Sequence, residues 1–550
     1  MEVEHSEEAE PPGDPQPSVD GSAEQPGSSE TEPPEGEELF FALVYPVGTD
    51  STSVVDTITE ALVDVNYDSD PPLHLIEELE GTTYGQAEME RIRRAFEEKK
   101  EYPDAPEYFR TYMQLMDLGN ALRADVEPGA MGLFAASRIL RRRLGNPPAD
   151  QVIDSTPPLT TVKHRYSYLI RSLKVPEEIA RLRNIYGDAL IVVAVHSNEE
   201  DRRKNLTWKI RDSAKKAAAP DDFRPYADTL IARDYREGRK VSGQQLSEAF
   251  PLADVFVDAT HQQRLEDSIK RFVEILFRHR FRTPTEDEYG MFHAYGAALR
   301  SADLSRQVGA AIADDDGEII ALGTNEVPKA GGGQYWPDDR DRDDGRDFTS
   351  RRDMSTEIKK SALDQLLGML SGEGHLTAPL VSADVWEQLE GSDFMNVGEF
   401  GRATHAEMAA IVHAARRGRS IQGSTLYTTT FPCHVCARHV IQAGIARVVF
   451  NEPYPKSWAA HLHGDSIALG GPRHPHRVLF EPFVGVSPAL YAQLFRVPRG
   501  TRRTDGEVSV WPRREARSNR AADPNSYLPK EVEALTKLRD GLRASGKPEV

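Results

Sequence analysis

Apolar residues along this chain follow two rhythms, one of continuous short runs and one of helical spacing. ELFFALVYPVG (38–48) is an apolar run that ends in a glycine, the pattern of a buried strand followed by a turn. TDSTSVVDTITEALVDV (49–65) then places Val54, Ile58, Leu62 and Val65 near one helical face. Strand, glycine turn and helix open an α/β unit. The spacing predicts further helices over 88–100 and 106–126, buried strands over 188–197 and 252–260, and a partly helical segment over 220–237. Helices between buried strands imply a mostly parallel sheet over roughly 39–260.

A second unit begins near 263. RLEDSIKRFVEILFRHRF is amphipathic, and PTEDEYGMFHAYGAALRSADL reads as another helix. VGAAIADDDG and IIALGTNE are short strands meeting at a DDDG turn. PDDRDRDDGRDFT (337–349) is an exposed charged loop, and TEIKKSALDQLLGMLSG and SADVWEQLEG are helices. Then come a helix at MAAIVHAA, the strand STLYTTT, a helix carrying both cysteines, and the strands ARVVFNEPY and RVLFEPFVG. From about 512 the composition turns polar, which predicts peripheral or partly ordered structure.

Composition sharpens this division. The 61.3 kDa chain is too long for one hydrophobic core. A mean hydropathy of -0.54, and no apolar run near the 18 residues of a membrane span, predict a soluble protein with no membrane contact. MEVEHSEEAEPP has neither the basic nor the apolar region of a secretory signal, so the cytoplasm is the expected location. The net charge of -21 is uneven, since residues 1–38 hold thirteen Asp and Glu and no Lys or Arg. That segment reads as a disordered acidic tail. The body is still acidic, and with no aromatic-basic groove apparent it argues against a polynucleotide substrate. The domains expected are therefore the tail (1–38), a first α/β unit (39–262), a second (263–495) with an insert at 337–400, and an extension (496–550).

The only two cysteines lie three positions apart in TTTFPCHVCARHV (428–440), downstream of THAEMAA. Cys433 and Cys436 at a helix start share one helical turn, where backbone N–H groups lower thiol pKa values. His405 supplies an imidazole from a neighbouring helix. Three ligands of this type leave zinc one open position, the mark of a catalytic site. Glu407, a carboxylate with no need to bind metal, is placed to carry protons to and from a reacting amine. H-x-E followed by P-C-x-x-C is the general signature of zinc deaminases. A redox pair has no use for His405 and Glu407. A closed structural site would need a fourth ligand, for which His434 and His439 are the near choices. His413 reads as a surface or packing histidine.

Residues from about 285 to 490 resemble a deoxycytidylate deaminase of the cytidine deaminase superfamily. The likeness rests on SRQVGAAI, TNEVPKAGGGQYW, THAEMAA, LYTTTFPCHVCARHVIQAGIARVVFNEPYPKS and PFVGVSP. It implies a five-stranded sheet between helices (an α/β/α domain), a zinc ion, and a sugar-holding role for Asn325. Lys329, Gly332, Tyr454 and Lys456 are further candidates for the substrate, with Lys329 meeting phosphate. The segment between GGGQYW and THAEM is longer than a compact member needs. It could gate the pocket, bind an effector or make a subunit contact.

The first unit resembles the nucleoside-kinase-like domain, of P-loop-kinase type and three layers, that is fused to such deaminases in bacterial antiphage proteins. MDLGNALR, YSYLIRSLKVPEE, IARDYRE and LADVFVD carry that likeness. The place of a phosphate loop is held by VGTDSTSV (47–54), with Gly48, Ser51, Thr52 and Ser53 but no Gly-Lys pair, and with Asp50 where phosphate would sit. This degenerate loop argues against phosphoryl transfer. The unit is a platform, a nucleotide sensor or an inhibitor-binding surface. The resemblance as a whole implies deamination of dCTP or dCMP in antiphage defence, a homo-oligomer, and inhibition by an RNA or protein partner. The alternatives are a regulatory scaffold with a zinc-stabilised fold, or a deaminase acting on a polynucleotide cytosine.

Overall fold

The computed structural model describes residues 38–550 apart from 100–101, 149–150, 152, 215–218, 236, 238–242, 340–342, 377, 379, 390–391, 397–399 and 453–456. All but the last residue of the acidic tail read from the sequence lies outside the described residues.

The first sheet is built from β1 (Glu38–Val44), β2 (Asp68–Ser69), β3 (Leu73–His74), β4 (Tyr166–Arg171), β5 (Leu190–His196) and β6 (Val255–Asp258). Its order is β6-β5-β1-β4-β2, with β3 also on β4, and all these pairings are parallel. Every residue of β1 is buried, because alternate side chains feed two cores. Phe40, Ala42 and Val44 face one core with Ile139 and Leu538, while Leu39, Phe41 and Leu43 face another with Val54, Ile58 and Leu62. Helices therefore cover both faces, giving three layers.

Two assignments differ from the sequence reading. The helix Gln262–Leu276, grouped above with the second unit, lies on the first sheet. Its stripe of Leu265, Ile269, Phe272 and Leu276 shares a core with Val54 and Ile58. The C-terminal stretch, expected to be peripheral, forms a 21-residue helix, Pro524–Ala544. It packs against Ala130–Arg143 because Tyr527, Leu528, Leu535, Leu538 and Leu542 make an apolar stripe within an otherwise polar sequence.

The second sheet contains β7 (Gly309–Ala313), β8 (Ile319–Thr324), β9 (Thr425–Thr430), β10 (Arg447–Glu452), β11 (Ile467–Leu469) and β12 (Val478–Pro482). Its order is β11-β12-β10-β9-β7-β8, so it has six strands where the resemblance implied five. The β7–β8 hairpin and the β7–β9 pair are antiparallel, and the rest are parallel. One face packs on the helix Glu286–Ala298 through Met291 and Ala294. The other carries Ala406–Arg416 and His434–Gln442 through Ala406, Ala410, Ala437 and Val440. Together the two sheets make a mixed α/β architecture.

A short strand, β13 (Gly485–Val486), follows β12 directly and pairs antiparallel with β6, extending the first sheet. Chain leaving the second sheet thus becomes an edge of the first. In the insert, the helix Met354–Gly372 buries only Leu363 and Leu367. Among the described residues no helix is long and apolar enough to cross a membrane.

Candidate metal centre

The centre lies where two helices begin. His405 is the N-cap of Ala406–Arg416, and Cys433 is the N-cap of His434–Gln442. Both have extended backbone angles before the first helical turn. Pro432 precedes Cys433, and restricting the residues around a proline favours a chain that enters the helix at a fixed point. The two helices touch one another and share the alanine-lined core above. Their small side chains let the two N-termini come close.

His405 Nδ1 lies 3.3 Å from Cys433 Sγ and 3.3 Å from Cys436 Sγ. All three donor atoms fall within 4.8 Å of one another. Ligands at zinc bond lengths in a tetrahedron stand about 3.5 Å apart, so this set fits that ion. Cys436 is fully buried, Cys433 is half-buried and His405 is exposed, so the site is closed at its base and open on the histidine side. Neither His434 nor His439 joins the group, which excludes the closed four-ligand arrangement among the described residues.

The electrostatics suit a cation. A hydrogen bond from Cys436, together with His405, pulls the Cys433 thiol down to about 3. Cys436, as the donor and deeply buried, moves well above the ordinary thiol range. The Cys433 sulfur in turn lifts His405 to about 9. The two shifts favour a thiolate beside an imidazolium, and two helix N-termini add to the field that favours the anion.

Glu407 is 4% exposed, and its Oε2 accepts from Cys436 Sγ at 3.4 Å. Burial first, and the neighbouring Cys433 sulfur second, raise its pKa. Both effects disfavour its charged form beside the donor set.

The other predicted residues are placed unequally. Asn325 sits at the end of β8, and its amide is engaged by backbone on both sides: Oδ1 accepts from Val308 N at 2.7 Å and Nδ2 donates to Arg306 O at 2.7 Å. It braces the 306–308 turn. Its neighbour Glu326 pairs with Thr404, one residue before His405. Lys329 forms an ion pair with Asp339. Lys329 and Gly332 line a cavity of about 800 Å³ with Trp336, His413 and Arg416. That cavity reaches the far end of the 406–416 helix, about 16 Å from His405 at the rise of an α-helix. The structure does not bring these two residues to the metal centre. Tyr454 and Lys456 lie outside the described residues. His413 has the packing role expected, with Nδ1 2.7 Å from Leu322 O.

One pair escaped the sequence reading. Arg306 Nη1 lies 3.7 Å from Glu452, whose carboxyl is pushed up by burial and also accepts from Thr430 Oγ1 at 3.3 Å. These groups sit at strand ends that rim the site. Arg306 lies within SRQVGAAI, but nothing in that run signals a partner 146 residues away.

In the first sheet, Asp50 caps the helix Ser51–Asp64, accepting from Thr52 N (3.2 Å) and Ser53 N (3.3 Å). The N–H groups that a phosphate would need are therefore held by a carboxylate. Ser51 accepts from Arg171, Ser53 donates to Gln262, and Gly48 has φ +86 with the Arg202 carbonyl close above it.

A His/Cys/Cys donor set, open on one side and beside a buried carboxyl group, is the arrangement that zinc deaminases use as a class. Residues 284–452 match the family described as the cytidine and deoxycytidylate deaminase zinc-binding region, and this part of the chain is a domain of that superfamily. Deoxycytidylate deaminase of Enterobacteria phage T4 is 49% identical over 53 residues, 10% of this chain and 28% of that protein. A probable deoxycytidylate deaminase of Drosophila melanogaster is 26% identical over 164 residues, 30% of this chain and 58% of that protein. The chain thus spans from 28% to 58% of the length of these curated relatives. Among solved structures, the dCMP deaminase of cyanophage S-TIM5 in apo form is 17% identical, with 36% of this chain and 98% of that chain covered and a TM-score of 0.20.

Proposed function

We propose that this protein hydrolyses the 4-amino group of a deoxycytidine nucleotide, dCMP or dCTP, to the corresponding deoxyuridine nucleotide and ammonia. The observation that carries the reading is the buried Glu407 carboxyl beside the three metal-binding side chains, since a purely structural zinc site has no use for it. His405, Cys433 and Cys436 would hold the ion, which when bound supplies an ionised water at neutral pH.

Glu407 does the proton work. It takes a proton from the attacking water and delivers one to the ring nitrogen N3 as C4 becomes tetrahedral. A second transfer to the exocyclic nitrogen lets ammonia leave and the C4 carbonyl form. Glu407, buried beside the donor set and in contact with Cys436, is placed to accept and donate a proton in turn. Asn325 supports substrate binding through the 306–308 turn that it fixes.

The relatives named deoxycytidylate deaminase support the nucleotide over other cytosines. For the first sheet, the strand order with β1 central, and a glycine turn running into a helix, support the nucleoside-kinase-like reading of residues 39–262. Asp50 on the helix N-terminus supports a domain that does not transfer phosphate. Depletion of the cytosine nucleotide pool in antiphage defence, a cytoplasmic homo-oligomer and an RNA or protein inhibitor belong to the same proposal, resting on the resemblance alone.

The test is ammonia release by zinc-loaded protein, with deoxycytidine, dCMP, dCTP, cytidine nucleotides and single-stranded DNA assayed separately. Turnover of dCMP or dCTP with silence on DNA supports the proposal. Turnover of DNA alone, or of nothing, overturns it.

A further inference from the structure

The stems that lead into and out of the 337–400 insert meet at one residue, Glu326 at the end of β8. Gln334, on the stem leading in, donates from Nε2 to the Glu326 carbonyl at 3.2 Å. Thr404, on the stem leading out, exchanges two backbone hydrogen bonds with Glu326. Glu326 N donates to Thr404 O at 3.3 Å, and Thr404 N donates to Glu326 O at 3.1 Å. One carbonyl thus accepts from both stems. The residue after Thr404 is the metal-binding His405.

The Glu326 side chain holds that carbonyl in direction. It is 2% exposed, and backbone N–H groups meet both of its oxygens: Oε1 accepts from Val327 N at 2.8 Å and Oε2 from Ala302 N at 2.9 Å. The first bond fixes the peptide between residues 326 and 327. A planar peptide held at its N–H is held at its carbonyl too, and this is the carbonyl that Thr404 and Gln334 use. The second bond ties the carboxyl group to the turn after the helix Glu286–Ala298, where Ser301 Oγ also donates to Asn325 O at 2.8 Å.

His405 needs support of this kind. It is exposed where Cys436 is buried, so packing does little to set its ring. The Thr404 carbonyl belongs to the peptide that enters His405. Holding that peptide leaves the His405 φ and side-chain torsions as the only freedoms between it and Nδ1. Groups behind a ligand that fix its orientation strengthen its hold on the ion.

We propose that Glu326 is a positioning residue for His405: its carboxyl group orients the peptide that clips both stems of the insert, and through Thr404 it sets the ligand for the ion. The inference rests on the metal centre of the proposed function and not on its substrate.

The experiment measures the zinc affinity of the full chain by competition with a chromogenic chelator. Beside it, the visible absorption of cobalt(II)-loaded protein reports the geometry of the ligands. Wild type, Glu326→Ala and Glu326→Gln are compared, with a thermal melt of each. Glu326→Ala should bind zinc about 10–100-fold more weakly, with an altered cobalt spectrum. Glu326→Gln keeps one acceptor oxygen but sets its NH2 against a backbone N–H, so its affinity and spectrum should fall between the other two. If Glu326→Ala does not fold, Glu326→Gln decides: weaker zinc binding with shifted cobalt bands supports the proposal, and wild-type values overturn it. Lowered melting temperatures with affinity and spectrum unchanged would make Glu326 a purely structural residue and overturn the proposal. Wild type that binds no zinc overturns the metal centre and this inference with it. Wild type that binds zinc no more tightly than a folded Glu326→Ala overturns this inference alone.

Discussion

Arg271, on the helix that lies against the first sheet, grips both carboxylate oxygens of Glu288, in the first turn of the helix that covers the second sheet (2.8 and 2.7 Å). Glu288 is 1% exposed and also accepts from Val486 N in β13 and from Thr285 N. One carboxylate therefore holds the first sheet's helix, the second sheet's helix and the strand that passes between the sheets. Glu288→Ala should destabilise the chain by about 3–5 kcal/mol, because Arg271 and the Val486 N–H lose their partner in a buried place. Urea denaturation followed by far-ultraviolet circular dichroism measures it, and a loss below 1 kcal/mol would show that the joint is carried by packing instead.

Glu407→Ala should leave zinc content and melting temperature near those of wild type while ammonia release falls by at least about a hundredfold. Metal analysis beside the activity assay separates the two effects. Loss of zinc in this variant would mean that Glu407 supports the ligands rather than the reaction.

Gly323 sets how closely the Glu407 helix lies on β8. A Cβ there would stand 2.0 Å from the Ala406 carbonyl oxygen and 2.4 Å from Ala410 N. Gly323→Ala must push the helix outward, carrying His405 away from the cysteines. Zinc affinity should fall by tenfold or more, read by competition with a chromogenic chelator, although no ligand has been changed. Unaltered affinity would mean that the helix N-terminus moves independently of its contact with β8.

Arg143 is fully buried between Glu38 of β1 and Glu531 of the C-terminal helix. Arg143→Met strands two carboxylates and should cost about 3–5 kcal/mol, whereas Arg143→Met with Glu531→Met should recover part of that loss. Equilibrium unfolding in urea gives both numbers. Equal losses in the single and double variants would disprove coupling between the pair.

His196 packs 4.6 Å from the Phe250 ring, and burial pushes its pKa down to about 4 against the pull of Asp258. Its folded pKa lies below the unfolded value of about 6.5, so the folded state favours the neutral ring. That contribution is complete above pH 6.5 and fades as the pH falls toward 4. His196→Leu should flatten the stability profile between those limits relative to wild type, as measured by urea midpoints at stepped pH. Parallel profiles would show that His196 is accessible to protons in the folded state.

The metal centre was legible because its residues are close in sequence and chemically unusual. Two cysteines in 550 residues, three apart behind a proline, with His405 and Glu407 on the preceding helix, leave few other chemistries. The continuous apolar runs of β1, β5 and β6 were legible for a similar reason, since a strand buried on both faces needs no partner to reveal it. Less legible was β4, whose YSYLIR mixes polar and apolar residues although it lies beside β1 at the middle of the sheet. The helix Ala130–Arg143 was missed as well. Most of its residues are buried, including Arg141 and Arg143, two of the four arginines among its last six residues, in a helix packed against Pro176–Tyr186 and Pro524–Ala544. A run ending in RRR reads as exposed until that packing is known.

What the sequence determined by itself is local: which segments become helix or strand, and a cysteine pair one helical turn apart with a His-Ala-Glu at the start of another helix. Tertiary structure alone decided the rest. It turned Lys329 and Gly332 onto a cavity away from the metal centre, engaged the Asn325 amide with the backbone at 306 and 308, and returned the last helix to the first sheet. It also brought Arg502, 222 residues away, onto the Arg280 carbonyl. The reason is physical. Helical and strand periodicity are written in neighbours a few residues apart, whereas burial, ion pairing and the uses of an exposed charge depend on what the folded chain sets beside it.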